Sequence, residues 1–195
     1  AGAEDMLAGH VGAALAVARG ERRVNVGAFV IASLLLDFAL WTFVILGWES
    51  ALIGPDFLKT HQARFLFPYS HGLPAAAAWS ALAGAAFFLG SSRLKQSRMR
   101  ASALIAAAVF SHWLLDALVH APELPVAGEG SMKIGLGLWR AMPAALAREA
   151  LILAFTVAGM TVAPPPPSAP AIAASSLVAL AAICALALRL GRLPN

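Results

Sequence analysis

Cysteine occurs once, as Cys184 in an apolar stretch, so no disulfide within one copy of the chain can staple the fold. Charge is also scarce: Asp, Glu, Lys and Arg make up 12% of the 195 residues, against roughly 25% in ordinary soluble domains. With 60% hydrophobic residues and a mean hydropathy of +0.77, that balance is wrong for a soluble domain and right for a polytopic helical membrane protein. Aromatic residues are few, with ten Phe, five Trp and one Tyr, and the apolar mass is mostly Ala and Leu. The apolar runs are long and continuous, which excludes the short alternating segments of an outer-membrane barrel. Small residues instead favour helices that approach closely within lipid. The net charge is +4, but the basic residues lie in short loops between apolar runs. Their expected task is to set topology, and no nucleic-acid partner is expected.

What remains is a series of helical spans in one domain, residues 1–195, without internal repeats. The first apolar stretch, Met6 to Ala18, gives about 20 Å of helix, too short for a hydrocarbon core of roughly 30 Å. Glu4 and Asp5 precede it and Arg19, Glu21, Arg22 and Arg23 follow it. That charge order is expected of a short membrane helix rather than a cleavable signal. Full spans are expected over Val24–Trp48, His71–Gly90, Ala101–His120, Met142–Ala163 and Ala171–Leu190. Pro164 to Pro167 separate the last two, because consecutive prolines cannot continue a helix. The predicted fold class is therefore all-α: a transmembrane bundle of five full spans plus a short N-terminal membrane helix. The Arg19–Arg23 hinge and the Arg93–Arg100 loop hold seven Lys and Arg in short segments. The positive-inside rule places both in the cytoplasm, as in a multi-pass protein of a bacterial inner membrane.

Ionisable groups inside such spans are costly and mark sites that face a cavity or a partner. Here they are Asp37, His112, Asp116, Arg148 and Glu149, with His10, His71 and His120 nearer the ends. His112, Asp116 and His120 recur every fourth residue and share one helical stripe. Imidazole with carboxylate suits Zn or a similar borderline metal; the plainer reading is that each histidine bonds a neighbouring carbonyl. Depth supplies an independent check. At about 1.5 Å per residue, Asp37 lies ~20 Å in from Val24, and His112 and Asp116 lie ~17 and ~23 Å in from Ala101. His10 lies ~14 Å above Arg19 and His71 at the outer end of its span, so His10, Asp37, His71, His112 and Asp116 are placed to converge on one cavity in the outer half of the bilayer.

Four segments carry a resemblance. They are Gly9-His10, Asp37 in Leu34-Leu35-Leu36-Asp37, Tyr69-Ser70-His71-Gly72-Leu73, and Ser111-His112-Trp113-Leu114-Leu115-Asp116. In this ordered set the chain resembles the bacterial family of membrane-bound metal-dependent hydrolases of the LexA-binding, inner-membrane type, over roughly residues 6–160. The resemblance implies a divalent metal, Zn by preference, held by His10, Asp37, His71, His112 and Asp116. It also implies hydrolysis of a lipid-like or phosphoester substrate. Four positions depart from the family: Ala39 replaces a second acid, Leu66 and Phe67 replace a His-Arg pair, and Gly72 replaces Ser. These departures favour a mononuclear or vestigial site over a multinuclear one.

Other residues have open roles. Asp116 or Glu149 would serve as general base, and Glu149 is equally well placed to pair with Arg148. Ser70 and Tyr69 either orient His71 or meet substrate, with helix capping the first expectation for Ser70. His120 is expected at the outer interface, within reach of water, and His61 in solvent. Trp48 and Trp139 fit the interfacial aromatic belt. Gly135 and Gly137 lack the pattern of a phosphate loop and suggest a tight re-entry of the chain. Two other functions compete with hydrolysis. One is a non-catalytic subunit of a larger membrane complex, with a structural metal, haem or pigment held by the histidines. The other is a small transporter using Asp37 and Asp116.

Overall fold

The computed structural model of the chain describes residues 7–55, 57, 63–141, 144, 147 and 151–152. Helices α1 (Leu7–Ala18), α2 (Val26–Ser33) and α3 (Leu35–Ile45) come first, followed by strands β1 (Ser50–Leu52) and β2 (Arg64–Leu66). Helix α4 (Leu73–Gly90), a 3-10 segment at Ser92–Ser97 and helix α5 (Arg98–Val119) come next. Strands β3 (Leu124–Pro125) and β4 (Lys133–Ile134) and a second 3-10 segment, Leu138–Ala141, complete the described order. Each strand pair forms an antiparallel two-stranded ribbon. Composition gave no sign of the ribbons, which are only two or three residues wide.

Two helical runs are long and apolar enough to cross a membrane, Leu73–Gly90 and Ser92–Val119, or three if the bent pair α2–α3 counts as one span. The fourth and fifth expected spans, 142–163 and 171–190, lie almost wholly outside the described residues. Helix α1 has 12 residues, about 18 Å, and falls short of a span as expected.

The span expected to run unbroken from Val24 to Trp48 is instead two helices bent by 45°. Asn25 opens the first, its side chain accepting from the Gly27 N–H at 2.8 Å. The break falls at Leu34, with φ −100° and ψ 4°. A continuous helix would pair the Ser33 carbonyl with the N–H of residue 37. Here that carbonyl accepts from His112 Nδ1 at 2.6 Å. Ser33 Oγ also bonds back to the Val30 carbonyl at 2.9 Å. A side chain intruding on the backbone ladder is a recognised cause of kinks, and irregular backbone at this depth is tolerated where protein satisfies it.

Helix α4 begins two residues later than expected, with Gly72 as its cap and Pro74 in its first turn. A Cβ on Gly72 would lie 2.5 Å from the Pro68 carbonyl oxygen, so a side chain is excluded at the position where the resembled family carries Ser. Ala76, Ser80 and Gly84 form the buried face of α4, and this small-residue stripe packs along α5. In lipid there is no water to drive helices together, so close backbone approach supplies the attraction. A Cβ at Gly84 would stand 3.1 Å from both the Ala106 Cβ and the Ser102 carbonyl oxygen. Gly84→Leu is therefore expected to force α4 from α5 at a cost of about 1–3 kcal/mol. It should appear as a lowered midpoint of thermal unfolding in detergent, followed by tryptophan fluorescence.

At one end, the Arg19–Arg23 hinge and residues Gln96, Ser97 and Arg100 line a common groove, so the two basic segments do lie on the same side. The ribbons follow α3 and α5 at the opposite helix ends. There Gly135 and Gly137, at φ 153° and 68°, fold the chain back onto α5. The Leu136 and Gly137 N–H groups donate to the Ala117 and His120 carbonyls at 2.9 and 2.7 Å, satisfying groups that a helix end leaves unpaired.

Candidate metal centre

Three segments bring four side chains to one point. Asp37 comes from the first turn of α3, His71 from the turn before α4, and His112 and Asp116 from successive turns of α5. His71 Nε2 and His112 Nε2 are 3.2 Å apart. Each is 3.2 Å from Asp116 Oδ2, and they lie 3.8 and 3.5 Å from Asp37 Oδ1. Ligand atoms about 2.1 Å from a tetrahedral ion stand about 3.4 Å from one another. Five of the distances among these atoms are close to that spacing, and two overlapping groupings, Asp37–His71–His112 and His10–His112–Asp116, are able to hold a cation.

The partners of the other ring nitrogens decide the tautomers. His112 Nδ1 faces the Ser33 carbonyl, an acceptor only, so Nδ1 carries a proton and the neutral ring has its lone pair on Nε2. His71 Nδ1 lies 2.8 Å from Ser70 Oγ. Ser70 Oγ is in turn 2.7 Å from Glu49 Oε2. An ionised carboxylate only accepts, so the Ser70 hydroxyl donates to Glu49 and accepts from His71 Nδ1–H. The neutral His71 ring likewise has its lone pair on Nε2. With both rings neutral, two lone pairs face each other across 3.2 Å, beside two carboxylates, an arrangement that a metal ion or a shared proton resolves. Backbone carbonyls and carboxylates that fix ring tautomers in this way are a regular accompaniment of metal-binding histidines.

His10 occupies another position. Its ring stacks on His112 with centroids 3.8 Å apart, and its Nε2 is 3.3 Å from Asp116 Oδ1, the carboxylate oxygen turned away from the other two histidines. Both His10 nitrogens are buried with no hydrogen-bond partner. His10 therefore borders the shell through Asp116. Of the four central side chains, His71, His112 and Asp116 are at most 3% accessible, whereas Asp37 is 37% accessible and marks the open side.

Five residues singled out from sequence, His10, Asp37, His71, His112 and Asp116, are thus brought together. Ser70 does not cap α4, which begins from Gly72 without a side-chain cap; it joins Glu49 to His71. His120 is not at a wetted interface. It is 5% exposed and its Nδ1 lies 2.6 Å from Glu123 Oε1, because the β3–β4 segment folds over it. His120 shares the stripe of His112 and Asp116 but takes no part in the cluster. Glu149 and His61 lie outside the described residues. Glu49 was missed. It reads as the first polar residue after a span, yet it is 5% exposed and accepts from the Tyr69 and Ser70 N–H groups at 2.7 and 2.8 Å. Phe67 sets its ring edge-on to His71 at 5.0 Å and walls the site with hydrocarbon. Trp113 Nε1 donates to the His71 carbonyl at 2.8 Å and ties that turn to α5.

Fold and site together define a mostly helical protein with two or three helices fit to span a membrane and a buried His/Asp cluster able to hold a cation. No family model, no curated protein and no solved structure matches the chain.

Proposed function

We propose that the protein is a membrane-embedded, Zn-dependent hydrolase of phosphoester bonds in lipid-like substrates, with Asp37, His71, His112 and Asp116 as ligands. The observation that carries this reading is the pair of Nε2 atoms facing each other at 3.2 Å, bordered by a carboxylate that remains accessible. A structural site is closed on all sides, whereas a catalytic one keeps an open position, and Asp37 lies on such a side. An ion held there would act as a Lewis acid towards water and a phosphoryl oxygen. Asp116 Oδ1, turned towards His10, is the group able to take a proton, and Glu49 with Ser70 holds His71 in its ligating tautomer. The reading agrees with the family resemblance carried by Gly9-His10, Asp37, Tyr69 to Leu73 and Ser111 to Asp116.

A transporter is the second reading, favoured by the helix break beside Asp37, since broken helices line ion sites in many carriers. Metal analysis and an absorption spectrum of the purified full chain separate these functions. One equivalent of Zn without colour is expected, with phosphodiester hydrolysis that stops on chelation and returns with Zn. A Soret-type band would move the assignment to a haem or pigment subunit, and protein without metal or turnover would favour transport.

The proposal extends to five spans in a bacterial inner membrane, with the basic end in the cytoplasm. In a Cys184→Ala background, cysteines placed at Ser97 and Gly128 should react with an impermeant maleimide from inside and outside respectively. The opposite pattern inverts the topology.

A further inference from the structure

A second concave site lies beside the cluster. Phe43, Trp48, Tyr69 and Trp79 line a cleft of about 460 Å³ at the end of α3 and the start of α4. Phe43 is its floor: Trp48 stacks on it at 5.4 Å, Trp79 tilts at 6.2 Å, and Tyr69 meets it nearly edge-on at 6.4 Å and 83°. Trp79 Nε1 donates to the Tyr69 carbonyl at 2.9 Å, which fixes two of the walls to each other. Trp48 and Tyr69 are 61% and 58% exposed, so the cleft is open. No lysine or arginine lines it. Behind it the Glu49 carboxylate holds the Tyr69 N–H at 2.7 Å.

Aromatic faces are electron-rich and attract cations, the more so when water is excluded. A buried carboxylate behind them adds potential of the same sign. A primary ammonium entering the cleft would give up hydrogen bonds to water with few acceptors to replace them. A quaternary ammonium has no N–H to satisfy and so leaves no hydrogen bond unmade. Tyr69 is two residues from His71, a reach of at most ~7 Å along the backbone, so the cleft and the cluster share one turn of the chain.

We propose that this aromatic cleft binds the trimethylammonium end of a lipid headgroup, making phosphocholine-type lipids the substrate class of the neighbouring cluster. The cleft's role as a substrate site rests on the hydrolase reading; its recognition of the cation does not.

The test separates the two. Full-length protein in maltoside detergent, carrying His112→Ala so that turnover is absent, is titrated with choline, ethanolamine and the uncharged isostere 3,3-dimethylbutanol, with tryptophan fluorescence as the readout. Choline is expected to bind about tenfold more tightly than the isostere and more tightly than ethanolamine, and Trp48→Leu should remove most of that preference. Equal affinity for choline and the isostere, no binding of either, or a preference that survives Trp48→Leu each overturns the proposal. With His112 restored, phosphatidylcholine should be hydrolysed in preference to phosphatidylglycerol in mixed vesicles. Equal turnover of both would refute the lipid-headgroup assignment while leaving the hydrolase reading intact. Choline selectivity without any turnover would refute the hydrolase reading and leave the cation site.

Discussion

Replacing His112 with alanine is expected to reduce bound metal from one equivalent to near zero and to abolish any metal-dependent turnover. His112 supplies the Nε2 that lies 3.2 Å from both His71 Nε2 and Asp116 Oδ2, so its removal leaves a shell of three. The variant loses a second interaction, the bond from Nδ1 to the Ser33 carbonyl, and the α2–α3 break loses its partner. Asp116 keeps His71 and His10 but loses one imidazole from a buried charge cluster, which is destabilising, so a lower thermal midpoint should accompany the loss of metal. His112→Gln serves as control, since its amide can donate to the Ser33 carbonyl while supplying no imidazole. Metal content by elemental analysis decides. Full occupancy in both variants removes His112 from the ligand set.

Glu49→Gln should weaken metal binding about 10–100-fold without unfolding the protein. The side chain lies at 5% exposure with Oε1 accepting from the Tyr69 and Ser70 N–H groups. In the variant those two donors hold the amide oxygen in the same place, so the new NH2 must point at Ser70 Oγ. Ser70 then accepts where it formerly donated, and its own proton turns to His71 Nδ1. The imidazole proton is pushed to Nε2, the atom that should bear a lone pair. Competition with a chromophoric chelator measures the change, and Ser70→Ala, which deletes the relay without reversing it, should lose less. An unchanged affinity in Glu49→Gln would show that the relay does not govern the tautomer of His71.

The cluster was legible in the sequence because the membrane makes charge expensive. Asp37, His112 and Asp116 stand out against apolar neighbours, and counting rise per residue brought them to one depth. The same reasoning misjudged His120, since helical phase assigns a face but cannot reveal a later segment that folds over it. It also missed Glu49, whose position at the end of an apolar run looks like ordinary solvation; only the return of the chain at Tyr69 and Ser70 encloses it. The break at Leu34 was invisible because every residue from Leu34 to Leu36 suits an apolar helix. What bends the chain there is a bond from His112, 79 positions away, and no local pattern records such a partner.

The proposed ligands are spread over residues 37, 71, 112 and 116, and that spread sets a schedule for the protein's making. While the chain is being synthesised, Asp37 reaches the bilayer first, and no ion can be held until α5 has been inserted and docked. A metal held by this set would be a late arrival in biogenesis, taken up by an assembled bundle through the side that Asp37 leaves open. A cell starved of the ion would accumulate inserted, empty protein rather than protein stalled during insertion.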